Sequence, residues 1–203
     1  MRQARATRYL MLALDPSLRG TGWVVVDLAT EQIIAAGVIV TKPRTAQEKK
    51  RLLAGEAAAN NGLSIQRGIR AVIELYQPSV VATEAPGGSK SASGASAIAR
   101  SHQATIDAVD VCLNALPIFV TPDAVKKKAT GSGTASKDDI EAAMRARWAG
   151  SDFDLLLAAR PPYMEQGQKL PPKGKWENTF DAAAVAHCAW DHPTVAMLRK
   201  LAA

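Results

Sequence analysis

Apolar and polar positions alternate in blocks along this chain, and the blocks predict its elements. Leu10 to Leu14 is an unbroken apolar run of the kind that suits a strand buried on both faces; it stops at Asp15, and Pro16 and Ser17 end it. Gly20 and Gly22 supply a turn before a second run, Trp23 to Val26, and a third, Ile33 to Val40, follows a turn over Asp27 to Glu31. Three antiparallel strands therefore come first. Thr45 and Glu48 have capping-box spacing and open a charged helical segment through Leu53, with a break expected near Asn60-Asn61-Gly62. Ile65, Ile69, Val72, Ile73 and Tyr76 then recur at helical spacing up to Pro78.

The second half alternates strand and helix. Val80 to Glu84 is a strand ending on an acid, Pro86 to Ser96 a Gly/Ser-rich loop, Ala97 to Leu116 a helix, and Ile118 to Val120 a strand stopped by Pro122. This order calls for parallel strands joined by right-handed crossovers, added to the antiparallel set. Val125 to Lys137 is a basic, Gly-containing turn, and Ser136 caps a helix running to about Trp148. Residues 150–176 hold four prolines and are expected to be an irregular excursion. A helix from Asp181 to Trp190, capped by Asn178 or Thr179, and a short amphipathic helix from Thr194 complete an α/β chain, a mixed sheet of about five strands flanked by helices.

Composition narrows the class. At 203 residues the chain can bury one sizeable core, and a single domain over 1–203 is the expectation. A formal charge of +6 favours a polyanionic partner. Cys112 and Cys188 sit apart in apolar stretches, which argues against a disulfide framework or a Cys/His metal site and fits a reducing compartment. No apolar run is long enough to span a bilayer, and Arg2, Arg5 and Arg8 read as a solvated basic arm; a soluble intracellular protein is expected. His102, His187 and His192 are scattered and suggest no shared site.

Two strands end in carboxylates, Asp15 and Glu84, and Asp181 lies at the start of a late helix. Each alone has a plain explanation, as a turn former, an edge residue or a helix-dipole partner. Together they can converge if the strands are neighbours, and converging carboxylates suit a hard divalent cation such as Mg2+. Two such ions, ~3.5 to 4 Å apart, assist in-line phosphodiester hydrolysis. Lys90 in the Gly/Ser loop and Lys126, Lys127, Lys128 and Lys137 around the later turn are candidates for phosphate contact, as is Arg19 in the first hairpin.

On these residues the chain resembles the RuvC-type Holliday junction resolvases, within the RNase H-like nucleases. The resemblance runs in order through LALDPSLRGTGWVVVD, QPSVVATEAP, LPIFVTPDAVKKKATGSGTASKDDIEAAM and FDAAAVAHCAW, leaving only residues 150–176 without a counterpart. It implies an RNase H-like fold, a homodimer acting on four-way DNA junctions in the cytoplasm of a bacterial or phage system, and Mg2+, replaceable by Mn2+, held by Asp15, Glu84 and Asp181. Lys126 and Lys137 match basic residues near the scissile phosphate. The family usually places another acid or a His three residues before the last Asp; here that position is Asn178, with Glu177 adjacent, and either is a candidate fourth ligand. Pro86-Gly87-Gly88 stands where members carry an aromatic wedge. Two other readings are a catalytically inactive branched-DNA-binding module, suggested by Asn178, and a broader flap or fork nuclease. An actin-like phosphotransferase is disfavoured by the chain's length.

Overall fold

The computed structural model describes residues 8–41, 45–51, 53–159 and 176–203. Five strands, β1 (Leu10–Asp15), β2 (Gly20–Asp27), β3 (Gln32–Val40), β4 (Val80–Glu84) and β5 (Ile118–Val120), form one sheet in the order β3-β2-β1-β4-β5. The β1–β2 and β2–β3 pairs are antiparallel, and β1–β4 and β4–β5 are parallel, as the block pattern predicts. β1 is the central strand. Its side chains alternate between two cores, Met11 and Ala13 entering one and Leu10, Leu12 and Leu14 the other, which is why the run is apolar throughout.

Helices α2 (Ala54–Tyr76) and α3 (Ala92–Leu113) cover the second core with Ile65, Ile69, Val72 and Ala108. The first core lies under α4 (Pro122–Thr130), α5 (Lys137–Arg147), α6 (Phe153–Ala158), α7 (Glu177–Ala189) and α8 (Pro193–Ala202). A short α1 (Ala46–Arg51) precedes α2. In α7, Ala182, Ala183, Ala184, Val185 and Ala186 are fully buried, so small side chains bring this helix close to the sheet.

Several boundaries differ from expectation. The helix does not break at Asn60-Asn61-Gly62; α2 runs through them, because packing of Ile65 and Ile69 on the sheet outweighs the cost of one helical glycine, about 1 kcal/mol. α3 begins at Ala92, inside the Gly/Ser stretch, since Ser91 caps it by accepting from Gly94 N at 3.1 Å. Pro122 starts a helix instead of only ending a strand: Thr121 is the N-cap and the proline occupies the first turn, where no N–H is required. The basic residues 126–128 therefore stand on a helix, not a turn. α7 begins at Glu177 with Trp176 as its N-cap residue, which puts Asp181 in the second turn.

Within the expected excursion, residues 150–159 are anchored. Ser151 Oγ accepts from Ile33 N at 2.9 Å on the edge strand, and Phe153 packs against Phe180 with ring centroids 5.0 Å apart. Residues 160–175 of that stretch lie outside the described residues, as do Arg2 and Arg5. Among the described residues no helix is long and apolar enough to cross a membrane.

Candidate active site

Strand register places the first two acids side by side. Leu14 pairs with Thr83 in the parallel β1–β4 ladder, so the next residues, Asp15 and Glu84, leave neighbouring strands at the same end of the sheet. β5 continues the row, with Glu84 opposite Val120 and Ala85 N donating to Val120 O at 2.7 Å. On the other flank Asp15 pairs with Gly22 of β2. α7 crosses there: the Asn178 carbonyl lies directly against Gly22, where a Cβ would stand 1.8 Å from its oxygen. Thr179 Oγ1 donates to Gly37 O at 3.1 Å and pins the start of the helix to β3. Asp181, three residues past Asn178, is thereby brought near enough for its charge to act on Asp15.

The electrostatics record the convergence. Asp15 is held well above the usual carboxylate range, first by burial and then by the charges of Asp181 and Glu84. Glu84 is also raised, by burial foremost and by Asp181, despite its hydrogen bond with Asp15 and the nearby Lys126 and Lys137. Asp181 is raised by burial, against the opposing pull of Lys137. Three acids whose ionised forms are each disfavoured make a site that gains when a cation arrives.

One cation of the protein's own stands at the edge. Lys137, at the first position of α5, puts its Nζ 3.2 Å from Glu177 Oε1 and 3.5 Å from Asp181 Oδ2. Its ammonium is held above its ordinary value: burial opposes this, and Asp181 and Glu177 outweigh the burial. α5 is aimed by a reciprocal cap, in which Ser136 Oγ accepts from Asp139 N at 3.2 Å and the Asp139 carboxylate accepts from Ser136 N at 2.9 Å.

The oxygen-only donor set fits a hard divalent cation in chemical kind. Among the described residues, however, no three acid, thiol or imidazole side chains form a ready metal cage. Asn178 is buried, 8% exposed, and lies three residues before Asp181, on the same side of α7. Glu177 is about half exposed and engaged by Lys137. The two candidates for the fourth ligand thus occupy different settings.

The basic residues divide. Lys126 on α4 is near enough to pull on both Glu84 and Asp181. Arg19, Lys90 and Lys127 are exposed. Lys128 pairs with Asp191 at 2.6 Å, so its charge is already engaged within the chain. Pattern reading missed Gly22 and Thr179, whose roles depend on tertiary approach; the pairing of Gly22 with Asp15 across the predicted hairpin was the available signal for the first.

The family model described as crossover junction endodeoxyribonuclease RuvC matches residues 11–147, which takes in Asp15, Glu84, Lys126 and Lys137 and stops before Asp181. The crossover junction endodeoxyribonuclease RuvC of Dehalococcoides mccartyi strain 195 is 31% identical over 137 residues, 66% of this chain and 76% of that protein. Its counterpart in Chromohalobacter salexigens is 28% identical over 173 residues, 80% of this chain and 86% of the relative. Among solved structures, T. thermophilus RuvC in complex with Holliday junction substrate superposes with a TM-score of 0.60 at 17% identity, covering 89% of this chain and 92% of that one. That superposition identifies the sheet and its helices as the RNase H-like fold. By the span of the match and the identity to its relatives, this chain belongs to the RuvC family.

Proposed function

We infer that the chain is a structure-selective endodeoxyribonuclease that nicks four-way DNA junctions by phosphodiester hydrolysis, in DNA recombination and repair. The observation that carries this reading is the meeting of Asp15, Glu84 and Asp181 at one end of the sheet, each disfavoured as a bare anion by burial. Its relatives' names and the junction-bound structural neighbour support the substrate.

Asp15, Glu84 and Asp181 would hold Mg2+, two ions in the full site, with Asn178 or Glu177 adding an oxygen ligand. When bound, Mg2+ supplies charge neutralisation at the scissile phosphate and lowers the pKa of an attacking water. Asp15, on which the charges of both other acids act, would be the ligand common to the set. Lys126 and Lys137 stand beside the carboxylates, where a phosphate drawn to the site gains electrostatic stabilisation as charge develops on its oxygens. As the phosphate enters, Lys137 exchanges its contacts with Glu177 and Asp181 for contacts with the substrate. Arg19, Lys90 and Lys127 contact the backbone and set register without reading bases. Lys128 can join them only by leaving Asp191.

Paired nicks on a two-fold junction call for a symmetric homodimer of single-domain chains. A cytoplasmic, DNA-associated location goes with this reading. A second reading, a junction-binding module without cleavage, is suggested by Asn178 in place of an acid. One assay separates them: incubation of the protein in Mg2+ with a mobile four-way junction, a flap, a fork and a linear duplex. Nicking concentrated on the junction supports the resolvase, equal nicking of flaps and forks makes it a general debranching nuclease, and binding without nicking leaves the inactive module.

A further inference from the structure

Lys137 holds the acid cluster as a bound cation would. Its Nζ lies 3.2 Å from Glu177 Oε1 and 3.5 Å from Asp181 Oδ2. The pull of its charge extends to Asp15 and Glu84, so one ammonium acts on all three acids of the cluster. Only 22% of the Asp181 side chain is accessible, against 56% of Lys137 and 45% of Glu177. The ammonium therefore sits on the solvent side of Asp181.

Backbone and side chain of Lys137 are held with different firmness. The backbone opens α5 and is fixed by the reciprocal Ser136–Asp139 cap. The side chain is a flexible four-carbon stem ending in a point charge, and its pairing with Glu177 is exposed, a class of contact that contributes little. Nζ can thus leave without disturbing the helix. What it leaves behind is a pair of carboxylates, Glu177 and Asp181, whose oxygens are of the hard kind that Mg2+ and Mn2+ take. Ammonium and divalent ion compete for them. Each favours the ionised carboxylates, and each repels the other at short range in a partly buried site.

We propose that Lys137 is a resident counter-ion that keeps the Glu177–Asp181 position closed to a divalent cation until a DNA phosphate draws the ammonium away. The free protein then takes one ion tightly, with Asp15 and Glu84 as ligands, and gains the second only with DNA in place. A chain without substrate is thereby kept from assembling the complete cutting centre. Linkage makes the effect reciprocal: if DNA strengthens ion binding at this position, an ion there strengthens DNA binding by the same factor. The proposal rests on the metal-nuclease reading above.

The test counts Mn2+ on the DNA-free protein by electron paramagnetic resonance, for wild type, Lys137→Met, Lys137→Arg and Asp15→Asn, with circular dichroism melts to verify folding. Wild type is expected to bind one ion tightly and a second about tenfold or more weakly, a typical size for coupling between sites. Lys137→Met should bring the second ion close to the affinity of the first. Lys137→Arg keeps the charge and should leave the second weak, and Asp15→Asn should lose the tight ion. Two ions of equal affinity on wild type, or a second ion no tighter on folded Lys137→Met, overturns the proposal and leaves the metal reading standing. The count is repeated with a four-way junction, after subtraction of ions held by the DNA alone. The junction should tighten the second ion about tenfold on wild type and leave Lys137→Met unmoved; no tightening on wild type also overturns the proposal. If wild type binds no ion that depends on Asp15, the metal reading fails and the proposal falls with it.

Discussion

Gly22 and Asn178 touch backbone to backbone: a Cβ at Gly22 would stand 1.8 Å from the Asn178 carbonyl oxygen. Since Gly22 pairs with Asp15, this contact fixes how close α7 comes to the first acid. Gly22→Ala must push the helix outward and carry Asp181 with it. Junction nicking is expected to fall ~100-fold, the effect of a misplacement of about 1 Å at a reacting centre. Overpacking should also cost about 1 to 3 kcal/mol in denaturant melts. Unaltered nicking would show that α7 is not positioned through this contact.

Asp15→Asn should raise the stability of the metal-free protein. The sign follows from the direction of the shift. Burial, then Asp181 and Glu84, raise Asp15 in the folded state, so ionising it opposes folding. That cost is absent below the unfolded-state pKa, ~3.9, and grows as pH rises through the folded value. At neutral pH the amide removes the cost, raising the melting temperature by about 2 to 4 °C for each kcal/mol relieved. Added Mg2+ should stabilise wild type and leave Asp15→Asn nearly unmoved. Thermal scans of both proteins with and without Mg2+ check this.

Lys137→Met separates catalysis from stability. Lys137 itself is more than half exposed, and so is its pairing with the half-exposed Glu177, so loss of its ion pairs should cost about 1 kcal/mol. If Lys137 meets the scissile phosphate as proposed, loss of its charge should slow nicking ~100-fold. Single-turnover rates and denaturant melts on the same preparation test both halves.

Asp27 offers a pH dependence away from the active site. Burial would raise it, but the N–H groups of Ala29 and Thr30 and the Arg8 guanidinium at 2.7 Å outweigh burial and lower it. A lowered carboxylate contributes stability that is present above the unfolded pKa, ~3.9, and is lost as pH falls through the folded value. Asp27→Asn should therefore destabilise by about 1 to 3 kcal/mol at neutral pH. The difference from wild type should shrink below about pH 4. Urea melts across that range measure it.

The strands, their antiparallel and parallel sets and the two strand-end acids were legible in the sequence because they depend on local pattern: runs of apolar residues with period two or none, two of them stopped by a carboxylate. Placing Asp15 beside Glu84 needed the two strands to be neighbours, a condition that the β1–β4 pairing meets. Helix boundaries were less legible. Asn60-Asn61-Gly62 carries strong turn chemistry, yet α2 continues because its apolar face is held by the sheet. The approach of Asn178 to Gly22, the bridge from Lys137 to Glu177 and Asp181, and the capture of Lys128 by Asp191 join residues at least 40 positions apart. No periodicity encodes such contacts.

The central claim, that Asp15, Glu84 and Asp181 together cut junction DNA, is tested most directly by nicking of one synthetic four-way junction in Mg2+. Wild type, Asp15→Asn and Asp181→Asn are compared at equal junction occupancy. Symmetric nicks by wild type, with binding retained and cleavage abolished in both variants, are the predicted result. Cleavage by Asp15→Asn at the wild-type rate would contradict it.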